Sequence, residues 1–493
     1  MRNGSGNGTS HPTRPDDGGT GIALAAEMRS AIVPTVTLMK IRPELERQVD
    51  KLREPFAAFV SAQTTASGLL VIALVAALSM ANLSADQYAH FRHLRVGLIV
   101  DDDTVAWSLL HLVNDGLIAL FFLLIGLEVK RELLAGELKD GQRVRLLLGA
   151  ALGGMVLPAA IYLIVNATID GGQMHGWGIP MATDTALAIG VLAALGGRVP
   201  KPIVAFLIGL AIIDDIGAIA VIALFYTQQL LPGWLIVAAL ALSVLLVINR
   251  AGLRHPLPYL LGGTLVWWAI VQSGVHASIA GVVIAMSVPA RPRLRATALK
   301  RRVRSVVSEV PSDAGPEQVL GEAHTHRQIT KVERLAQDST TPLRRWEDSL
   351  ELPVALIVLP LFVFINAGIA LSPDALRAAL TDPVAVGVTL GLVIGKPAGI
   401  LLGVWLGERL LGARRPPGLD NVRLLGIGLL AGVGFTMSTF IANLALGGAG
   451  ESLATAKLAI LLASAVAALA GYVGLRMKAG AGRLQDGASE HDR

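Results

Sequence analysis

Ala211–Ala220 reads AIIDDIGAIA, two adjacent aspartates inside a run that is otherwise soluble in lipid. Between Lys201 and Tyr226 the only charged side chains are Asp214 and Asp215, and as a helix this stretch would be about 39 Å long. The pair therefore falls near the middle of a bilayer, where an ionised aspartate costs roughly 2.5–3.5 kcal/mol on insertion scales. Neighbours on a helix point about 100° apart, so the two carboxylates need different partners or a shared aqueous cavity. Such a cost is tolerated where ions pass, and the two residues mark the centre of an ion pathway.

Working outward, the whole chain fits that setting. Its 493 residues are 53% hydrophobic and 16% charged, with 53 glycines, and the mean hydropathy is +0.59. A soluble protein of this size would not be so apolar, so the class is multi-span membrane protein. No cysteine is present, which excludes disulfides, thiolate metal sites and cysteine nucleophiles. The net charge of +5 belongs to loops between apolar runs and gives no sign of a nucleic-acid partner. The N-terminus is polar and rich in Gly, Ser, Asn and Pro, unlike a secretory signal.

Apolar runs begin at about 66, 106, 144, 177, 201, 231, 257, 275, 351, 383, 422 and 454, which predicts about twelve spans with the seventh and eighth short. Basic residues sort by loop parity. Lys130, Arg131, Lys139 and Arg143 follow span two, Arg198 and Lys201 follow four, Arg250 and Arg254 follow six, and Arg409, Arg414 and Arg415 follow ten. The positive-inside rule then puts both termini in the cytoplasm.

The domain organisation follows. Residues 1–60 read as a disordered extension with an amphipathic stretch at 38–60, 61–290 as spans one to eight, 347–478 as spans nine to twelve, and 479–493 as a polar tail. RVGLIVDDDT at Arg95–Thr104 predicts a small hairpin on the outer face. Residues 291–346 form a polar cytoplasmic insert, whose composition predicts a mobile loop with a short helix and no second catalytic domain.

Further charges lie inside the spans. Asp184 sits in IPMATDTALAIG beside Thr183, and Lys396 sits in GLVIGKPAGILLG before Pro397. Burying four charges at similar depth would cost about 10–14 kcal/mol, which argues for mutual pairing. A pair that merely locks helices together is the bland alternative. Three acids against one lysine leave surplus negative charge, and hard oxygen ligands from Asp and Thr suit sodium or a proton. Pro180 interrupts span four, and Gly426, Gly428, Gly432 and Gly434 crowd span eleven, LLGIGLLAGVGFTMSTFIANLALGG. Those glycines form no dinucleotide fingerprint, because no soluble strand precedes them; they signal close packing or a broken helix. Broken helices leave exposed half-helix ends, which want an acid at the N-termini and a base at the C-termini, and Asp184 and Lys396 are placed to supply them.

These motifs together resemble the NhaA-type sodium/proton antiporters. The likeness rests on ATDTALAIGVLAALG, AIIDDIGAIAVIALFYT, NDGLIALFFLLIGLEVKREL with Asp115 and Glu128, SGVHASIAG with His276, LPLFVFINAGIAL, GKPAGI and GFTMSTFIA, over about 60–290 and 346–477. It implies an all-α membrane protein with twelve transmembrane helices, inverted repeats and two interrupted, crossing helices, an architecture for which this family is itself a reference case. It also implies a homodimer associated through the outer hairpin. The activity implied is electrogenic export of sodium, with lithium as a second substrate, against inward protons. That is transport and not enzymatic chemistry, needs no cofactor besides the moving ions, and belongs in the bacterial inner membrane for pH and sodium homeostasis.

By the same resemblance Asp214 and Asp215 form the sodium and proton site, Lys396 pairs with Asp214, and Thr183 with Asp184 sits at the crossing. Glu128, Arg131 and Glu132 line a cytoplasmic funnel, and His276 and Glu347 belong to the pH response. One stretch departs from the pattern: WEDSLEL keeps Glu347 but has Asp348 and Glu351 where the family commonly has histidines. Carboxylates and imidazoles titrate in different ranges, so a different pH window is expected. A lone histidine near a helix start is also compatible with a plain structural role for His276, and Asp115 reads as structural. Among other classes, a sodium-coupled solute symporter would share broken helices and a cation site. An intramembrane aspartyl protease would need facing aspartates from separate segments, and a channel would need symmetric rings of charge.

Overall fold

The computed structural model describes residues 64–100, 103–136, 141–195, 199–227, 230–292, 294, 296–309, 321–447 and 450–491, the stretch from 479 by its backbone alone. The N-terminal extension expected at 1–60 lies outside the described residues, as do Lys139, Arg198 and the side chains of the tail at 479–493.

The described chain is nearly all helix, as it must be where lipid offers no partner to backbone N–H and C=O groups. Helix α1 (Thr64–Leu83) leads to a short helix α2 (Ala85–His93) and a hairpin, β1 (Arg95–Val100) with β2 (Asp103–Ser108). The strands pair antiparallel in the register Arg95↔Ser108 and Val100↔Asp103, so the expected hairpin is present. Then come α3 (Leu109–Ala135), α4 (Gly141–Thr168), a 3₁₀ segment Met174–Met181, α5 (Thr185–Ala194), α6 (Lys201–Phe225), α7 (Pro232–Arg250), α8 (Pro256–Gln272) and α9 (Ala277–Ser287). After α10 (Ala296–Val307) and α11 (Ala323–Ser339) follow α12 (Pro342–Asn366), α13 (Pro373–Thr381) and α14 (Pro383–Leu411). The chain closes with α15 (Asn421–Ala431), α16 (Phe435–Ala445) and α17 (Glu451–His491).

Among the described residues 9 segments are long and apolar enough to cross a membrane, and the bent pair α15 and α16 makes 10. The sequence expectation of about twelve would also need α8 and α9, whose 17 and 11 residues are short for a full crossing. Lipid-facing surface is plain on α7, where Ile236, Leu240, Val244 and Val247 are exposed and only Ala238 and Leu245 are buried.

Glycine sets a close helix contact. Gly395, Gly399, Gly403 and Gly407 recur every fourth residue along α14, and opposite them lie Gly149 and Gly153 of α4. A Cβ on Gly149 would stand 2.6 Å from the carbonyl oxygen of Gly403, and one on Gly153 would run into that of Gly399. The two backbones thus touch directly and antiparallel, since Gly395 meets Pro158 further along. This contact seats Lys396 against α4, where a Cβ on Gly154 would crowd Ile400 and touch the lysine stem at 3.7 Å. Among the described residues three single π-helical turns break the regular spans, at Leu112–Leu117, Val354–Val358 and Gly391–Gly395, the last ending just before Lys396. Such turns are frequent at functional positions because they re-aim the next side chain.

The insert differs from the sequence expectation of a mobile loop with one short helix. Its described residues include two amphipathic helices, α10 and α11, which pack together. Gln328 Nε2 donates to Glu309 at 2.7 Å at one end, and Leu294 N–H donates to the Asp338 carbonyl at 3.1 Å at the other. High charge content hid a helical pattern: Leu299, Val303 and Val306 recur on one face of α10, as Ile329, Val332 and Leu335 do on α11.

The glycine contact yields a first prediction. Gly403→Leu should overpack α4 against α14, at a cost of about 1–3 kcal/mol or more, and lower the unfolding midpoint of the purified protein. Gly68→Leu, at a position with nothing within 4 Å, should leave the midpoint unchanged.

Candidate functional site

Two helix breaks meet at the site. In span four the 3₁₀ segment ends at Met181, Ala182–Asp184 are extended, and α5 starts at Thr185. In span eleven α15 ends at Ala431 and α16 starts at Phe435, with axes bent by 49°. The breaks touch: Asp184 N–H donates to the Val433 carbonyl at 2.6 Å, and Gly434 lies so close to the Ala182 carbonyl that a Cβ there would stand 2.9 Å from it. Only glycine fits at that crossing.

Each loose helix end finds a partner of suitable sign. Asp184 caps both N-termini at once, Oδ1 accepting from Leu187 N–H of α5 at 3.0 Å and Oδ2 from Thr436 N–H of α16 at 3.0 Å. One carboxylate thereby faces two partly positive helix ends. At the opposite ends, Lys396 Nζ donates to the Met181 carbonyl, and the Thr183 hydroxyl lies 2.9 Å from the Ala431 carbonyl.

Lys396 also reaches Asp214. Its Nζ stands 2.7 Å from Oδ2, with both side chains fully buried. The Thr183 hydroxyl is 2.8 Å from the same oxygen, so its single proton serves either Asp214 or Ala431 at a given moment. Oδ1 of Asp214 is buried without a hydrogen-bond partner. The desolvation cost of such a pair is several kcal/mol per ion, and the geometry must be good to offset it.

Asp215 is placed differently. It is buried to 7% exposure, and among the described residues no hydrogen bond or ion pair involves it. The carboxylates within electrostatic reach of it are Asp214, Glu128 and Asp184. Its carboxylate, like Oδ1 of Asp214, is a hard acceptor without a fixed donor, which suits a small monovalent cation or a proton. No group of three His, Cys, Asp or Glu side chains among the described residues is arranged to hold a metal ion, so an ion here would also draw on neighbouring hydroxyl and carbonyl oxygens.

The remaining candidates form two groups at opposite ends of α3. Gly126 and Lys130 of α3 meet Ala285 and the Met286 carbonyl of α9 and the Val288 carbonyl just after it, while Asp115 and His276 lie at the other end. At the Lys130 end, Arg131 lies 3.7 Å from Glu128, bonds Glu132, and donates to Glu347 at 2.9 Å; Arg344 meets Glu347 at 2.9 Å as well. Glu347 therefore joins Glu128, Arg131 and Glu132. At the far end His111 approaches Asp115 at 3.2 Å, and the His276 ring packs edge-on to Phe440 at 6.5 Å without capping α9 through its side chain. About 16 residues of helix, roughly 24 Å, separate the groups, so the structure does not unite His276 and Glu347 in one cluster.

Sequence reasoning missed an amide cluster on three spans. Asn366 Nδ2 donates to Asn114 Oδ1 at 2.8 Å, and Asn443 Nδ2 donates to Asn366 Oδ1 at 3.0 Å. Each is an isolated polar residue in an apolar run, and that was the available signal.

A multi-pass membrane protein with its ionisable residues gathered where two interrupted helices cross is the class that fold and site define. Comparison with known proteins specifies it. The family model described as Na+/H+ antiporter 1 matches residues 57–475, and the chain belongs to this family. It is 43% identical over 435 residues to Na(+)/H(+) antiporter NhaA 2 of Psychromonas ingrahamii, covering 88% of this chain and 91% of that protein. Na(+)/H(+) antiporter NhaA 1 of Shewanella denitrificans is 43% identical over 433 residues (88% and 96%), and Na(+)/H(+) antiporter NhaA of Sulfurimonas denitrificans is 40% identical over 439 residues (89% and 98%).

Two stability predictions follow from the geometry. Lys396→Met strands a buried carboxylate and should cost about 3–5 kcal/mol, and adding Asp214→Asn should recover most of that. Asp184→Ala removes two caps, at about 0.5–2 kcal/mol each. Thermal unfolding of the purified variants reads both, and an unchanged midpoint for Lys396→Met would contradict the pairing.

Proposed function

We propose that the chain exports sodium, with lithium as an alternative cargo, in exchange for inward protons across the bacterial plasma membrane, with both termini cytoplasmic. The observation that carries this reading is Asp215, a buried carboxylate without a fixed donor, one residue from an aspartate neutralised by a buried lysine. Family membership and the relatives' names support the same activity.

In this reading sodium and protons compete for one site. With Asp215 ionised, sodium binds it with help from nearby oxygens and from the partnerless Oδ1 of Asp214. A proton on Asp214 removes the counter-charge of Lys396, and loss of the lysine proton then relieves an uncompensated buried cation. Close carboxylates titrate as a coupled set, so protons and sodium displace one another over a pH range set by the group and not by either residue. The paired half-helices supply two surfaces that can rock about the crossing and expose the site alternately to each side. Exchange of more than one proton per sodium makes the cycle electrogenic. Glu128, Arg131, Glu132 and Glu347 screen the cytoplasmic approach, His276 responds to pH at the other end of α3, and the hairpin β1–β2 joins two copies in a homodimer.

Everted vesicles carrying a pH-sensitive dye test the reading. Sodium should cause proton movement without any organic solute, and Asp215→Asn should reduce it at least a hundredfold; wild-type movement in that variant would sink the assignment. A strict need for an organic solute would favour a symporter.

A further inference from the structure

The insert hairpin lies outside the ion pathway and carries the densest exposed positive charge among the described helices. Along α10, ATALKRRVRSVV, the side chains of Lys300, Arg301, Arg302 and Arg304 are all exposed, and no acid occurs in the helix. At 100° per residue they occupy one broad face, opposite Leu299, Val303 and Val306. Val306 is buried, which sets the apolar face toward α11 and the basic face away from it. None of the four takes part in an ion pair among the described residues. Val307, 53% exposed, stands at the rim between the two faces.

Both ends of this hairpin are tied close to membrane helices. Ser287 ends α9 nine residues before α10 begins, and only Thr340 and Thr341 separate α11 from α12. Leu343 N–H donates to the Pro289 carbonyl at 3.1 Å, and Trp346 packs edge-on to Tyr259 of α8 at 6.2 Å. Arg334, Gln337 and Asp338 of α11 share a cleft with Leu253 and Leu260. A basic face carried at this end of the membrane helices is on the side where an anionic leaflet would attract it once it comes within a Debye length.

We infer that the exposed basic face of α10 docks on anionic phospholipid headgroups of the adjoining leaflet, and that this contact acts on the Glu347–Arg131 pair through α11 and the two-residue link that joins it to α12. The face alone does not need the antiport reading; the effect on transport rests on it. Each Lys or Arg near an anionic surface strengthens contact about fivefold, so the four together contribute on the order of several-hundred-fold, and the contact weakens in salt. A solvated face would show neither lipid selectivity nor a functional link.

The chain lacks cysteine, so Ser305→Cys on the basic face gives a single labelling site for an environment-sensitive dye. The full-length protein is placed in nanodiscs of phosphatidylcholine alone or with about one third phosphatidylglycerol. The dye should move to a less polar environment only with phosphatidylglycerol, lose that shift at high salt, and ignore free inorganic phosphate at matched ionic strength. Replacing Lys300, Arg301, Arg302 and Arg304 together by Gln should abolish the shift, with an unchanged unfolding midpoint confirming an intact fold. An equal signal in both lipids, or a shift kept by the quadruple variant, overturns the docking. In proteoliposomes of the same lipids, phosphatidylglycerol should change the apparent KM for sodium at least threefold in the wild type and not in the variant. A dye shift with no change in KM overturns the link to Glu347, and absence of exchange in every sample would instead count against the antiport reading.

Discussion

The buried contact between Lys396 and Asp214 is the interaction on which the rest depends. Two full charges out of contact with water persist only when their mutual geometry is good and further hydrogen bonds offset the desolvation cost; here Oδ1 of Asp214 is left open. The surroundings here are the ends of broken helices: the Met181 carbonyl takes a second lysine proton, and the Thr183 hydroxyl donates to either Asp214 or the Ala431 carbonyl. Without the breaks those carbonyls would be tied up inside helices. Without the lysine and Asp184, the four facing helix ends would carry uncompensated partial charge in an apolar medium. Charge pair and broken backbone therefore stabilise each other, and neither is explained alone.

Packing serves that contact. The glycine rows of α4 and α14 bring two backbones together and aim Lys396 inward, while the π turn at Gly391–Gly395 sets its angle. Gly428 and Gly432 press span eleven against Pro397 and the Leu392 carbonyl. About 100° further around α6, Asp215 remains without a fixed partner because its neighbour has taken the lysine. Adjacency on one helix turn thus separates a charge-neutralised group from a free one.

Much of this was legible in the sequence because charge inside apolar runs is rare and has to be accounted for. Asp184, Asp214, Asp215 and Lys396 stood out on cost alone, and Pro180 with the glycines of span eleven marked the breaks. What composition could not give was direction. Lys130 reads as a loop cation, yet it donates to carbonyls at the end of α9. Asn114, Asn366 and Asn443 are uncharged and far apart in sequence, so their meeting depends on tertiary packing. The helices of the insert are hidden from composition because its high charge content masks the apolar helical period of α10 and α11. His276 and Glu347, grouped by expected role, are held apart by the length of α3.

The most direct test concerns competition itself. Sodium binding to the purified protein, measured by calorimetry in buffers of different ionisation enthalpy, counts protons released for each sodium bound. Competition at Asp215 and its coupled neighbours predicts net proton release, with apparent sodium affinity weakening as the pH is lowered. Sodium binding with no proton release at any pH, and with constant affinity, would contradict it.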